Sequence, residues 1–79
     1  MNPILDKKKI QLRIGRRIKE IREDKGIAQQ VLAAQCNMEK SNLSRLETGR
    51  SNPTLHTLYK IAYFLNVPLS ELADINEMD

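Results

Sequence analysis

Residues 40–48 run Lys-Ser-Asn-Leu-Ser-Arg-Leu-Glu-Thr, and they hold the side chains with the most to offer a partner. On a helical wheel of about 100° per residue, Ser44, Arg45 and Thr48 fall within roughly 60° of Ser41, while Leu43 and Leu46 point to the other side. Such a helix buries its leucines and leaves a row of donors and acceptors outside. Lys40, Ser41, Ser44 and Arg45 suit the edges that base pairs display in the major groove of duplex DNA. Lys or Arg can donate to guanine O6 and N7, and a hydroxyl can bond several edges. A merely solvated face is the competing reading. What weighs against it is the setting: residues 29–36 read as a short helix just ahead, a corner follows at Asn37 and Met38, and Gly49 stops the second helix. Leu32 and Ala33 on the first helix and Leu43 and Leu46 on the second supply the apolar contact across the corner, and a side chain larger than Ala33 would hold the helices apart.

Other chemistries find little support. One cysteine and one histidine cannot build a zinc site, and a single cysteine cannot form an internal disulfide. Cys36 falls on the inward side of its helix and reads as a small core hydrophobe rather than a redox switch. His56 has no second histidine or carboxylate pair beside it. With no nucleophile and base, metal cluster or phosphate loop in the chain, neither an enzyme nor a cofactor or metal is expected.

A chain of 79 residues can bury one small core and has no room for a second, ligand-binding domain. Its formal charge of +3 divides into −4 over residues 66–79 and +7 over residues 1–65. A basic body fits a phosphate surface, and charge alone would equally suit RNA or an anionic membrane. The three aromatics, Tyr59, Tyr63 and Phe64, cluster in one segment instead of interleaving with the basic residues, as stacking on single-stranded bases would require. No apolar run approaches the roughly 20 residues of a membrane span, and residues 1–9 lack the apolar stretch of a signal peptide. The expected setting is the cytoplasm.

The positioning elements follow from periodicity and capping. Asp6 can cap a first helix carrying Ile10, Ile14, Ile18 and Ile21, which Gly26 ends. Lys7, Lys8 and Lys9 oppose the dipole of its first turn, so residues 1–8 are alternatively a frayed basic arm, which either touches phosphates or is only solvated. Thr54 can cap a fourth helix with Leu55, Leu58, Ile61, Ala62 and Leu65 as its buried stripe, ended by Asn66. Pro68 suits the first turn of a fifth helix reaching about Asp74 with Leu69 and Leu72 inward. Residues 1–79 form a single domain, with 29–48 as the paired helices and 75–79 as a loose tail.

The stretch from Ile14 to about Leu72 resembles the Cro and repressor type of helix-turn-helix, the xenobiotic-response-element family. The resemblance lies in Ile18-Lys-Glu-Ile-Arg22, Gly26-Ile-Ala-Gln29, Leu32-Ala33, Leu43-Ser-Arg-Leu-Glu47-Thr-Gly49, Asn52-Pro53, and Ile61-Ala62 with Leu65-Asn-Val67. Each marker is weak alone; in this order and at these intervals they are specific. The chain departs from the family pattern at Ala28, where Ser or Thr is usual, at Asn37, where Gly is typical, and at Glu39, where a small cap is usual.

The resemblance implies an all-α fold, a compact five-helix lambda-repressor-like DNA-binding domain. It implies that Gln29, Asn42, Arg50 and Asn52 hold DNA phosphates, contacts that set register without reading sequence. Asn52 has a competing role as a turn residue bonding its own backbone. It further implies an ion pair between Arg22 and Glu47 joining the first helix to the end of the third. The expected function is sequence-specific regulation of transcription on double-stranded DNA by a homodimer bound to a partly palindromic operator, as in a phage-type repressor or a restriction-modification controller protein. The alternative is an antitoxin or adaptor that mainly holds a toxin or other regulatory protein. By subtraction, the homodimer surface falls on Tyr63, Phe64, Val67 and Leu69: the third helix faces DNA, the first two cover the core, and only this region is apolar and poor in positive charge. Phe64 could instead fill the monomer core.

Overall fold

The computed structural model describes residues 6–74, which form α1 (Lys7–Asp24), α2 (Gln29–Gln35), α3 (Lys40–Glu47), α4 (Leu55–Leu65) and α5 (Leu69–Leu72), with no strand among the described residues. Asp6 caps α1, its Oδ1 accepting from the Lys9 amide at 3.2 Å, and the Asp6 carbonyl accepts from the Ile10 amide at 3.0 Å. The helix therefore starts at Lys7. The side chains of Lys7 and Lys8 are exposed, where the penalty of cations at a helix start is screened to a fraction of about 1 kcal/mol. The rest of the expected arm and the expected tail, residues 1–5 and 75–79, lie outside the described residues. Among the described residues no helix is long and apolar enough to cross a membrane.

Four helices end in the same way. Gly26, Asn37, Gly49 and Asn66 each adopt positive φ, at 68°, 55°, 76° and 60°. At each the following amide bonds back five residues: Ile27 to Arg22 O, Met38 to Ala33 O, Arg50 to Arg45 O and Val67 to Ala62 O, at 2.8–3.1 Å. This is the Schellman arrangement, which satisfies carbonyls that the helix leaves orphaned. It also turns the next residue inward, and Ile27, Met38 and Val67 all pack against the core. Asparagine serves at two of the four turns because its short polar side chain tolerates left-handed backbone better than most.

The core joins Ile18 and Ile21 of α1, Leu32 and Ala33 of α2 with Cys36 just beyond it, Leu43 and Leu46 of α3, Ile61, Ala62 and Leu65 of α4, and Leu72 of α5. Each fully buried Leu or Ile contributes about 1.5–3 kcal/mol. Burial raises the Cys36 thiol pKa, against the opposing charge of Lys60. Leu55 departs from the expected stripe: it is 71 % exposed, because it opens α4 and overhangs the end of the core. Pro68 is the cap of α5, one position ahead of the first turn, and α5 stops at Leu72 instead of near Asp74. Leu72 is buried and Leu69 half-buried.

Candidate nucleic-acid interface

The placement of α3 begins with a glycine on α1. A Cβ on Gly15 would lie 2.3 Å from the Leu46 carbonyl oxygen and 2.9 Å from that of Glu47, so the end of α3 rests directly on the α1 backbone. Gly49 repeats the approach from the other side, where a Cβ would meet Leu12 Cα at 2.6 Å. Only residues without a side chain permit so close a seat.

An ion pair locks that seat. Arg22 Nε donates to Glu47 Oε2 at 2.7 Å and Nη2 donates to Oε1 at 3.0 Å, while Nη1 donates to the Ile27 carbonyl at 2.7 Å. Gln29 Nε2 adds a third donor to the carboxylate, reaching Oε1 at 3.0 Å. The buried ion pair thus gathers α1, the loop before α2, the first residue of α2 and the end of α3. The bond to Glu47 raises the Arg22 pKa further above its already high ordinary value; burial opposes this, and the negative charges of Glu47 and Glu23 reinforce it. Arg22 and Glu47 thus form a bidentate pair with both side chains buried.

With its inner side so fixed, α3 turns Lys40, Ser41 and Arg45 to solvent and Ser44 partly so. Thr48, at the end of the row, donates its hydroxyl to the Ser44 and Arg45 carbonyls at 2.9 and 3.1 Å and accepts from Arg50 Nε at 3.1 Å. Arg50 and Asn52 are exposed beyond the turn at Gly49. A cleft of about 420 Å³ runs beside the helix, lined by Lys19, Gln29, Lys40 and Ser44 with the ion pair in its wall.

Some residues placed here escaped the sequence reading. Lys19 precedes Arg22 by three positions on the same face of α1, the spacing that could have located it. Lys60 of α4 donates to the Cys36 carbonyl at 3.0 Å, capping the corner between α2 and α3. Arg17 donates through Nε to the Glu71 carbonyl at 2.9 Å, and its Nη2 lies 3.6 Å from Glu71 Oε1. Neither contact carries a local sequence signal. The expected roles of Gln29 and Asn42 also acquire a complication: the Gln29 side chain is engaged by Glu47, and Asn42 Oδ1 accepts from Arg45 Nη2.

Away from this face, Tyr63, Phe64, Val67 and Leu69 line a groove of about 640 Å³ together with Tyr59. Tyr63 is 66 % and Phe64 37 % exposed, with their rings packed edge to face at 5.1 Å. Phe64 is thus not enclosed in the monomer core, while Val67 and Leu69 pack against that core from the groove side.

Residues 18–72 match the model of the family described as Helix-turn-helix. Control protein C.MunI of Mycoplasma sp is 36% identical over 64 residues, which cover 80% of this chain and 86% of that protein. The restriction-modification controller protein C.AhdI from Aeromonas hydrophila superposes with a TM-score of 0.76 at 31% identity, covering 78% of this chain and 94% of that one. The master regulator for biofilm formation SinR, in a structure with DNA, superposes with a TM-score of 0.71 at 37% identity, covering 77% and 98%. With the geometry of α2 and α3 and these likenesses together, the chain belongs to the Cro/C1-type helix-turn-helix family of DNA-binding transcription regulators.

Proposed function

We propose that this regulator acts in the cytoplasm as a homodimer on a partly palindromic operator, each copy laying α3 in the major groove of one half-site. The observation that carries the reading is the division of α3 itself. Leu43, Leu46 and Glu47 are buried and fixed while Lys40, Ser41 and Arg45 project outward, which pairs a rigid mount with an exposed donor row. Arg45 reads a guanine edge, with Lys40, Ser41 and Ser44 completing the set. Gln29, Arg50 and Asn52 flank the row and hold phosphates, Gln29 through its backbone amide and the remaining hydrogen of its side-chain amide. One copy offers few base contacts. Pairing two copies through Tyr63, Phe64, Val67 and Leu69 doubles them and sets the reading helices about 34 Å apart, one turn of duplex. SinR in complex with DNA and the controller C.AhdI support the reading as relatives of this fold. Selection of binding sites from random duplex DNA tests it. The expected product is a consensus of two inverted half-sites whose centres lie about one helical turn apart; enrichment of an asymmetric site, or of none, overturns the proposal.

A further inference from the structure

Asn42 shares the outer side of α3 with the base-reading set, and position alone would give it a phosphate. Its side chain is committed elsewhere. Arg45 Nη2 donates to Asn42 Oδ1 across one turn of the helix. In an amide the oxygen and the NH₂ group are fixed opposite one another, so aiming Oδ1 at Arg45 also fixes where the two N–H donors point. Asn42 is half-buried and Arg45 exposed, so the better-held side chain restrains the freer one. A guanidinium has five N–H donors; one is used here, and those left suffice for a bidentate pair on guanine O6 and N7. The second outward arginine is held by a related device, Arg50 Nε on Thr48 Oγ1 at 3.1 Å.

We propose that Asn42 is a positioning residue: its carbonyl oxygen pre-orients the Arg45 guanidinium for base reading, and it fixes specificity at the base pair Arg45 reads while touching neither base nor phosphate. The ordering of a long, rotamer-rich side chain is thereby met before DNA arrives and not at the moment of recognition. This inference rests on the reading of Arg45 as a base contact.

The test measures affinity for the selected duplex and for every single-base variant of one half-site, by fluorescence anisotropy, with the wild type, Arg45→Ala, Asn42→Ala, the double variant and Asn42→Asp. Arg45→Ala is expected to reduce discrimination at one base pair about 5- to 150-fold. Asn42→Ala is expected to reduce it at the same base pair by a smaller factor, about 3- to 10-fold, and the double variant to discriminate no worse than Arg45→Ala. Asn42→Asp keeps the acceptor oxygen, so it should retain discrimination there while its negative charge weakens binding to all sequences. Uniform weakening by Asn42→Ala, additive with Arg45→Ala, would make Asn42 a phosphate contact and overturn the inference with the Arg45 reading intact. An Arg45→Ala variant that weakens all sequences alike overturns both.

Discussion

Replacing Glu47 with alanine removes the carboxylate that ties α1 and α2 to the end of α3. In the native protein it accepts from Arg22 Nε at 2.7 Å, from Arg22 Nη2 at 3.0 Å and from Gln29 Nε2 at 3.0 Å. The variant leaves the Arg22 guanidinium with the Ile27 carbonyl alone. The side chains of Arg22 and Glu47 are 9 % and 1 % exposed, so solvent screening offers little relief, and stranding one member of a buried pair costs about 3–5 kcal/mol. Domains of this size have a total stability of about 5–10 kcal/mol, and each kcal/mol moves Tm by about 4–8 °C. Glu47→Ala should therefore lower Tm by about 12–40 °C, and at the upper end leave no folded protein at 37 °C. Thermal unfolding followed by circular dichroism measures this directly. Glu47→Gln, which keeps the shape and one acceptor, should fall between the two. A Tm within a few degrees of the wild type for Glu47→Ala would mean that water reaches Arg22 or that the end of α3 is not held there.

Three further outcomes follow from other contacts. Gly15→Ala ought to stabilise an ordinary helix by about 1 kcal/mol, yet here the new methyl meets the Leu46 carbonyl and the expected change is a loss of about 1–3 kcal/mol or more; a rise in the denaturant midpoint would contradict the close seat. Ala28 caps α2 without a side-chain bond, so Ala28→Ser should add about 0.5–2 kcal/mol, read as a higher urea midpoint, and no gain would mean that the α2 amides are already satisfied. Tyr63→Glu combined with Val67→Glu places charges in the groove proposed to pair two copies, and sedimentation should give a folded monomer that has lost operator binding; a variant that stays dimeric moves the interface elsewhere.

Much of the frame is legible along the chain because its signals are local. Asp6 and Thr54 act as caps as their types suggest, Thr54 Oγ1 accepting from the Thr57 amide at 3.1 Å, and Gly26, Asn37, Gly49 and Asn66 end helices because few other residues accept their backbone angles. Leu55 shows the limit of periodicity. Its spacing matches the buried stripe of α4, but at the first residue of the helix it stays exposed. The pairing of Arg22 with Glu47, 25 positions apart, came through family resemblance and not from any rule of spacing. What stayed hidden is what three dimensions create: the near contact of Gly15 with the Leu46 carbonyl, the reach of Lys60 to the corner after α2, and the hold of Arg17 on α5. The commitment of Asn42 to Arg45 lies within reach of an i, i+3 rule, but choosing that bond over a phosphate requires the side-chain geometry.

On the proposed function, the outward face of α3, mounted on the Gly15 seat and the Arg22–Glu47 pair, is the surface that meets duplex DNA. Amide chemical-shift mapping locates that surface: ¹⁵N-labelled protein is titrated with the selected duplex, and the perturbed residues are identified. The largest changes are expected at Gln29, at residues 40–48 and at residues 50–52, with smaller ones in α1 and α5. Changes confined to α4 and α5, or to Lys7, Lys8 and Lys9, with residues 40–48 unmoved, would contradict the proposed function.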